Sequence, residues 1–230
     1  MSQRAQAPSP PVSLRFTPDG QRVVVSSDSG VRLIDVAGQH AAIRLGAHHA
    51  TDLIAFDTEI WLVQGEPPEL LRFNLAGSPL GQPTTLPPGP GRLVRSPFGE
   101  PVAVWMAEVP TLLASSESGV TQSTLPRADM VLPLSARRWL SVEGPRVTLR
   151  EPGDELWTSP HVGDDMRAIY GAPLFDARAI ALLCESHDHS EHQILVLSTR
   201  DGGLQHRIAL TGTTLVRFAP RRGYAMVLSG

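Results

Sequence analysis

The feature that most limits what this chain can fold into is a repeated run of short extended segments. From Ser13 to Gly38 it reads SLRFTPDGQRVVVSSDSGVRLIDVAG: an apolar run, a turn, a second run, a turn, and a third. The turns carry Pro-Asp-Gly and Asp-Ser-Gly, which supply a preset φ, side-chain-to-backbone hydrogen bonds and positive φ. The runs are rich in Val, Ile and Leu, as a pleated, buried surface prefers. A weaker run, AAIRL, completes a set of four. The set then recurs. First strands begin near Ser13, Asp52, Arg92, Asp129, Arg167 and Thr214. Second strands read RVVVSS, IWLVQG, PVAVWMA, RWLSVEG, AIALLCES and YAMVLSG. Third strands read VRLIDV, LLRFNL, TLLASS, RVTLRE and QILVLS, and Gly38, Gly77, Gly119, Gly153 and Gly202 mark the turns that follow them.

A period of about 40 residues with four strands per unit predicts an all-β fold: a β-propeller with about six blades of four-stranded antiparallel meanders, the last blade incomplete. With 20 Gly and 21 Pro in 230 residues, long helices have little room. The competing architecture is a sandwich or a β-rich α+β domain. Phe175–Cys184, FDARAIALLC, is helical by propensity alone, but its place in the repeat predicts a strand. Residues 1–11, MSQRAQAPSPP, form a Pro-rich segment expected to be flexible and lack the apolar core of a signal peptide. Residues 12–230 are expected to form a single domain.

The stretch SLRFTPDGQRVVVSSDSGVRLIDV resembles a WD40-type repeat, whose usual form is a short strand, Ser-Pro-Asp-Gly, a second strand, a Ser-Asp-Gly turn, and a third strand ending in Trp-Asp. Ile34-Asp35 stands in the Trp-Asp place, and LGAHHATDLIAF resembles the Gly-His entry to the next blade, with His48 or His49 as the histidine. Beyond the first unit the third-strand endings become Phe73-Asn74, Ser115-Ser116, Arg150-Glu151 and Leu197-Ser198, so that family's Trp–Ser–His–Asp hydrogen-bond network is not expected. The resemblance implies a divergent WD40-like propeller over residues 12–230. It also implies a non-catalytic protein–protein interaction module or scaffold, of the small bacterial type that occurs as an accessory subunit of larger systems.

The sixth unit stops at AMVLSG, where a third strand would begin, and Pro8, Pro10 and Pro11 make the N-terminal segment a poor donor of missing strands. Three readings stay open. The last blade is short and covered by the N-terminal segment, or a partner or second copy adds strands at its edge, or the chain is part of something longer. Arg221, Arg222 and Leu228 are the candidate partner-binding residues of that edge. The partner class is another protein, with self-association through the same edge as a variant.

One segment carries the residue types of metal chemistry. CESHDHSEH, Cys184–His192, places three histidines in six residues among Glu185, Asp188 and Glu191. Imidazole and carboxylate are ligands of zinc and related ions. The order His-x-His-x-Glu-His resembles the metallo-β-lactamase-fold motif, which implies His187, His189 and His192 as metal ligands. That is the alternative reading, a metal-dependent hydrolase or metal-binding propeller. Against it, Glu191 stands in the place of the motif's Asp, Gln193-Ile194-Leu195 follows where a glycine-rich helix start belongs, and the repeat makes the segment a hairpin loop. Asp164-Asp165 is a second acidic pair, read as a surface turn or strand-entry hydrogen bond.

No catalytic residue and no cofactor are assigned: there is no G-x-S-x-G, and without Lys no Walker-type loop. All 20 basic residues are Arg, a compositional mark of a GC-rich genome, and the net charge of −3 gives no footprint for nucleic acid or an anionic membrane. Cys184 is the sole cysteine, so a cytoplasmic setting is the expectation. Trp61, Trp105 and Trp139 fall in second strands and Trp157 in a fourth, which predicts packing between blades. Arg137-Arg138 reads as a solvated turn.

Overall fold

The computed structural model describes residues 13–97, 99–159, 162, 163, 165–174, 178–210, 213–219 and 224–229, the last two ranges by backbone course alone. Among them every regular element is a strand. The first sheet holds β1 (Ser13–Phe16), β2 (Arg22–Ser27), β3 (Gly30–Asp35) and β4 (Ile43–Gly46), in that order. The second holds β5 (Asp52–Ala55), β6 (Glu59–Gln64), β7 (Glu69–Asn74) and β8 (Thr84–Thr85). The third holds β9 (Arg92–Arg95), β10 (Val102–Met106), β11 (Thr111–Ser116) and β12 (Gly119–Thr124). The fourth holds β13 (Met130–Pro133), β14 (Trp139–Glu143), β15 (Arg146–Glu151) and β16 (Asp154–Ser159). The fifth holds β17 (Met166–Leu174), β18 (Ala179–Ser186), β19 (His192–Ser198) and β20 (Leu204–Leu210). A two-stranded sheet of β21 (Thr213–Ala219) and β22 (Tyr224–Ser229) follows.

All five complete sheets are antiparallel meanders, and the four-strand unit is where the repeat puts it. Ala179–Cys184 is strand, as its place in the unit requires: tertiary packing overrides the propensity of Ala and Leu for helix. The turns are held by the residues that mark them in the sequence. In TPDG, Thr17 and Asp19 bond to each other at 2.5 Å, and Asp19 Oδ1 accepts the Gln21 N–H at 3.0 Å. At the end of β3, Asp35 accepts the Ala37 and Gln39 N–H groups at 3.1 Å each and pairs with His40 Nδ1 at 2.9 Å.

The chain divides into two compact units, Met1–Leu93 with Ser115–Thr121, and Val94–Ala114 with Gln122–Gly230. In the first, the core between the first and second sheets is built from Val24, Val31, Leu33, Leu45, Leu53, Ile60, Leu62 and Phe73. In the second, one core joins the third sheet (Val102, Val104, Leu112) to Val131 and Trp139 of the fourth. Another joins Leu140, Val142, Val147 and Leu149 of the fourth sheet to Ile180, Leu182, Cys184, Leu195 and Leu197 of the fifth. Each core is thus one sheet face laid on the next. The β6, β10 and β14 strands are buried along almost their whole length, as is most of β18, so both faces of these central strands are covered. That is why their sequences are continuous apolar runs rather than alternating ones.

Two glycines are fixed by sterics. A Cβ on Gly202, at φ +70°, would lie 2.6 Å from Trp157 Cε3; on Gly30, at φ +109°, it would lie 2.4 Å from the Gly46 carbonyl oxygen. The first lets the β19–β20 turn pass across the Trp157 ring, and the second lets the β2–β3 hairpin close against β4.

Candidate functional site

The histidine segment is the β18–β19 hairpin of the fifth sheet. Its register pairs Glu185 with His192, and five residues, His187–Glu191, make the loop. Glu185 is partly buried and is the centre of the cluster. Its Oε1 receives His189 Nδ1 at 2.9 Å and His192 Nε2 at 3.4 Å. Its Oε2 accepts Arg167 Nη2 at 2.9 Å and Nε at 3.3 Å, a fork from the neighbouring β17. The His189 hydrogen bond, then that from Arg167, hold the Glu185 carboxyl down at about 2. His189 adopts φ +60°, the left-handed region in which a non-glycine residue is uncommon.

The other carboxylate of the loop is tied to the loop itself. Asp188 Oδ1 accepts the Ser186 hydroxyl at 2.6 Å and, from Ser190, the hydroxyl at 2.7 Å and the N–H at 3.1 Å. The Ser186 hydroxyl, first in weight, and the two Ser190 donors bring Asp188 down to about 2. Ser186 Oγ accepts the Glu191 N–H at 2.9 Å, and the His187 N–H donates to the Asp165 carbonyl at 3.2 Å. His189 and His192 therefore meet on Glu185, while the contact of His187 is made by its backbone. Among the described residues no group of three or more His, Cys, Asp or Glu is arranged to hold a metal ion. Of the acidic pair, Asp164 lies outside the described residues. Asp165 borders a cleft of about 490 Å³ at this end of the sheet, with Met166, Glu191, His192, Gln193 and Arg207.

Cys184 lies one residue before Glu185 on β18 but is fully enclosed, and burial pushes its thiol up to about 12. A thiol that stays protonated is neither a nucleophile nor a metal ligand at neutral pH.

Sequence reasoning passed over a second cluster, in the first unit, because its members lie far apart in the chain. Buried Glu59 opens β6, and its Oε2 accepts Trp61 Nε1 at 2.8 Å and Arg72 Nε at 2.9 Å. Its Oε1 accepts Arg72 Nη2 at 3.1 Å and the Ser115 hydroxyl at 2.6 Å, and the same Nη2 reaches Ser115 Oγ at 2.8 Å. Burial works against the charged carboxyl, but the bonds from Arg72, Ser115 and Trp61 outweigh it, and Glu59 titrates below its ordinary value. The one available signal was an apolar strand, EIWLVQ, that begins with a charge. The exposed His48 and His49 stay out of the sheet entry, where Ser26 Oγ accepts the Ala50 N–H at 2.8 Å and Asp52 Oδ2 accepts the Leu93 N–H at 2.6 Å.

Trp61, Trp105 and Trp139 are buried and Trp157 is half-buried, and the three in second strands do not share one position. Trp61 stands opposite Arg72 inside its strand pair, Trp105 opposite Thr111 at the hairpin end, and Trp139 at the start of β14 opposite Arg150. Trp139 packs on the third sheet, and Trp157 Nε1 donates to the Thr199 carbonyl of the fifth-sheet segment at 2.9 Å, so these two join sheets. Trp61 meets Phe56 edge-on, with centroids 4.9 Å apart. In the Arg137-Arg138 turn, Arg138 pairs with Glu151 at 2.5 Å on the surface. Arg221 and Arg222 lie outside the described residues, and Leu228 is placed by backbone only, opposite Leu215.

No family model and no curated protein matches the sequence. Solved structures do match. Hsv2 of Kluyveromyces marxianus is 12% identical over 86% of this chain and 65% of its own, with a TM-score of 0.59. The β-propeller domain of Cps50 (Swd1) from Myceliophteria thermophila is 11% identical over 88% and 72%, at 0.60. The C-terminal WD40 domain of Sif2 is 13% identical over 86% and 59%, at 0.55. This chain spans less than two thirds of the Hsv2 and Sif2 chains. With five four-stranded antiparallel meanders among its described residues, the chain has the fold of the WD40 β-propellers.

Proposed function

We propose that this protein is a non-catalytic interaction module, a rigid scaffold that docks another protein, working in the cytoplasm. The observation that carries the reading is the use made of its chemistry-bearing side chains. Glu185 is held by two histidines and an arginine, and Asp188 by two serines. Asp19 and Asp35 fix turns in the same way. These carboxylates are occupied in shaping loops on a stacked-sheet frame, and function in such a fold resides in the loops and edges it presents. Among the described residues the last sheet has two strands where five others have four, which supports a partner strand adding at β22; Leu228 belongs to that strand, and Arg221 and Arg222, which precede it in the sequence, are proposed with it as the partner contacts.

The experiment is site-specific photo-crosslinking from position 228 in the native host, with the captured protein identified and its complex reconstituted from purified components. One defined partner, lost on deleting β22, is the expected outcome; crosslinks to no defined protein overturn the edge. The metal reading is checked alongside. Purified protein is expected to hold no stoichiometric zinc, and zinc lost together with a hydrolytic activity in His187→Ala and His189→Ala would replace the scaffold reading with the enzyme.

A further inference from the structure

The apolar packing of β11 ends abruptly. Leu112, Leu113 and Ala114 are buried, and Ala114 stands opposite Val102 at the end of the β10–β11 register. The chain then reads SSESGVTQST as far as Thr124, with Val120 as its one large apolar side chain, and buried apolar residues resume at Leu125. Such a stretch has little apolar surface to bury, whatever lies against it. What holds its first residue is polar. Ser115–Thr121 belongs to the first unit. There Ser115 Oγ donates to Glu59 Oε1 at 2.6 Å and accepts Arg72 Nη2 at 2.8 Å. Beyond Ser115 the hairpin closes on itself: Ser116 Oγ donates to the Gly119 carbonyl at 3.1 Å, and Gly119 turns at φ +140°. The Glu59–Arg72 pair survives without the Ser115 hydroxyl. Glu59 Oε2 still accepts Trp61 Nε1 and Arg72 Nε, and Oε1 still accepts Arg72 Nη2. Water replaces a departing hydroxyl, so its release strands no charge, in contrast to the loss of Glu59 or Arg72 themselves.

We infer that Ser115–Thr121 is a strap, fastened to the second sheet by the Ser115 hydroxyl, which opens and closes on its own while the sheets stay folded. Two features make it a two-state element. The closed state is fixed by short, directional bonds to one anchor, and the open state forfeits them while exposing almost no apolar surface. The anchor, a bidentate ion pair between buried Glu59 and Arg72, is the same in both states. The strap is therefore a local switch laid on a rigid base. It stands whether or not the protein is an interaction module, and it is separate from the β22 edge proposed above.

Native-state proteolysis of the full chain tests it. A glutamate-specific protease needs an extended segment, so it cuts after Glu117 only while the hairpin is open, at a rate set by the open population. Cleavage at Glu117, read by mass spectrometry, is expected without denaturant and at a rate insensitive to low urea, the mark of local rather than global opening. Ser115→Ala is expected to speed it about tenfold, the effect of one lost hydrogen-bonding hydroxyl. Ser115→Asp, which sets a carboxylate against Glu59, is expected to speed it further, and Ser115→Thr, which keeps the hydroxyl, to leave the rate near wild type. A cooperative urea transition confirms that each variant is folded; if Ser115→Asp does not fold, the Ala and Thr variants decide. Resistance at Glu117, cleavage that rises with urea in step with global unfolding, or equal rates in wild type and Ser115→Ala overturns the proposal. So does Ser115→Thr cleaved as fast as Ser115→Ala, which would show that the hydroxyl is not the fastener.

Discussion

At the scale of single residues, buried charge is tolerated where it is fully bonded. Glu59 keeps its charge because Arg72, Ser115 and Trp61 satisfy both carboxylate oxygens, and removing one partner leaves the rest stranded. Glu59→Ala is expected to cost about 3 kcal/mol, read from urea unfolding midpoints. The sign of the pH effect follows from the depressed titration. The contribution of Glu59 is complete above the ordinary carboxyl range and is lost as pH falls through its lower folded value, so wild type loses stability in acid more steeply than Glu59→Gln. Trp61 and Trp139 separate two roles of the indole. Trp61 Nε1 donates to Glu59, whereas Trp139 Nε1 is buried without a partner among the described residues. Replacement by Phe is therefore expected to cost about 1–2 kcal/mol more at position 61 than at 139. Gly202→Ala brings a methyl to 2.6 Å from Trp157 at positive φ, and a loss of about 2 kcal/mol or more is expected in the same measurement.

At the scale of elements, the β18–β19 hairpin is a loop locked by its own charges. Carbon-detected titration of Glu185 is expected to give a midpoint near 2 in wild type, rising toward the ordinary value in His189→Ala and in Arg167→Ala, because each change removes a donor to the charged form. Stability drawn from this carboxylate is present above the ordinary value and fades as pH falls from there to about 2. The strand pattern of this element, and of every other, was legible because turn residues and apolar runs recur at fixed spacing. Asp35 at the end of β3 and Asn74 at the end of β7 even hold corresponding turns by side-chain acceptance. What the loop does was not legible. The order His-x-His-x-Glu-His is compatible with ligation, but which atoms the imidazoles face depends on Arg167, a β-strand away. Glu59, Arg72 and Ser115 escaped notice for the same physical reason: a bond between residues 56 apart leaves no local pattern.

At the scale of the whole molecule, sheets laid face on face predict a graded resistance to opening. Amide exchange is expected to be slowest in β6, β10, β14 and β18, which are buried between layers, and fastest in β1 and β20, whose side chains are mostly exposed. Fast exchange in β18 would mean that the fifth sheet is not a stable layer. The same enclosure has a practical consequence for Cys184. With its lone sulfhydryl sealed inside β18, the native protein is expected to react only slowly with maleimides. A cysteine engineered onto any outward-facing position thus becomes a unique handle for a dye or spin label, and slow alkylation of the natural thiol becomes a clock for the excursions that prise the layers apart.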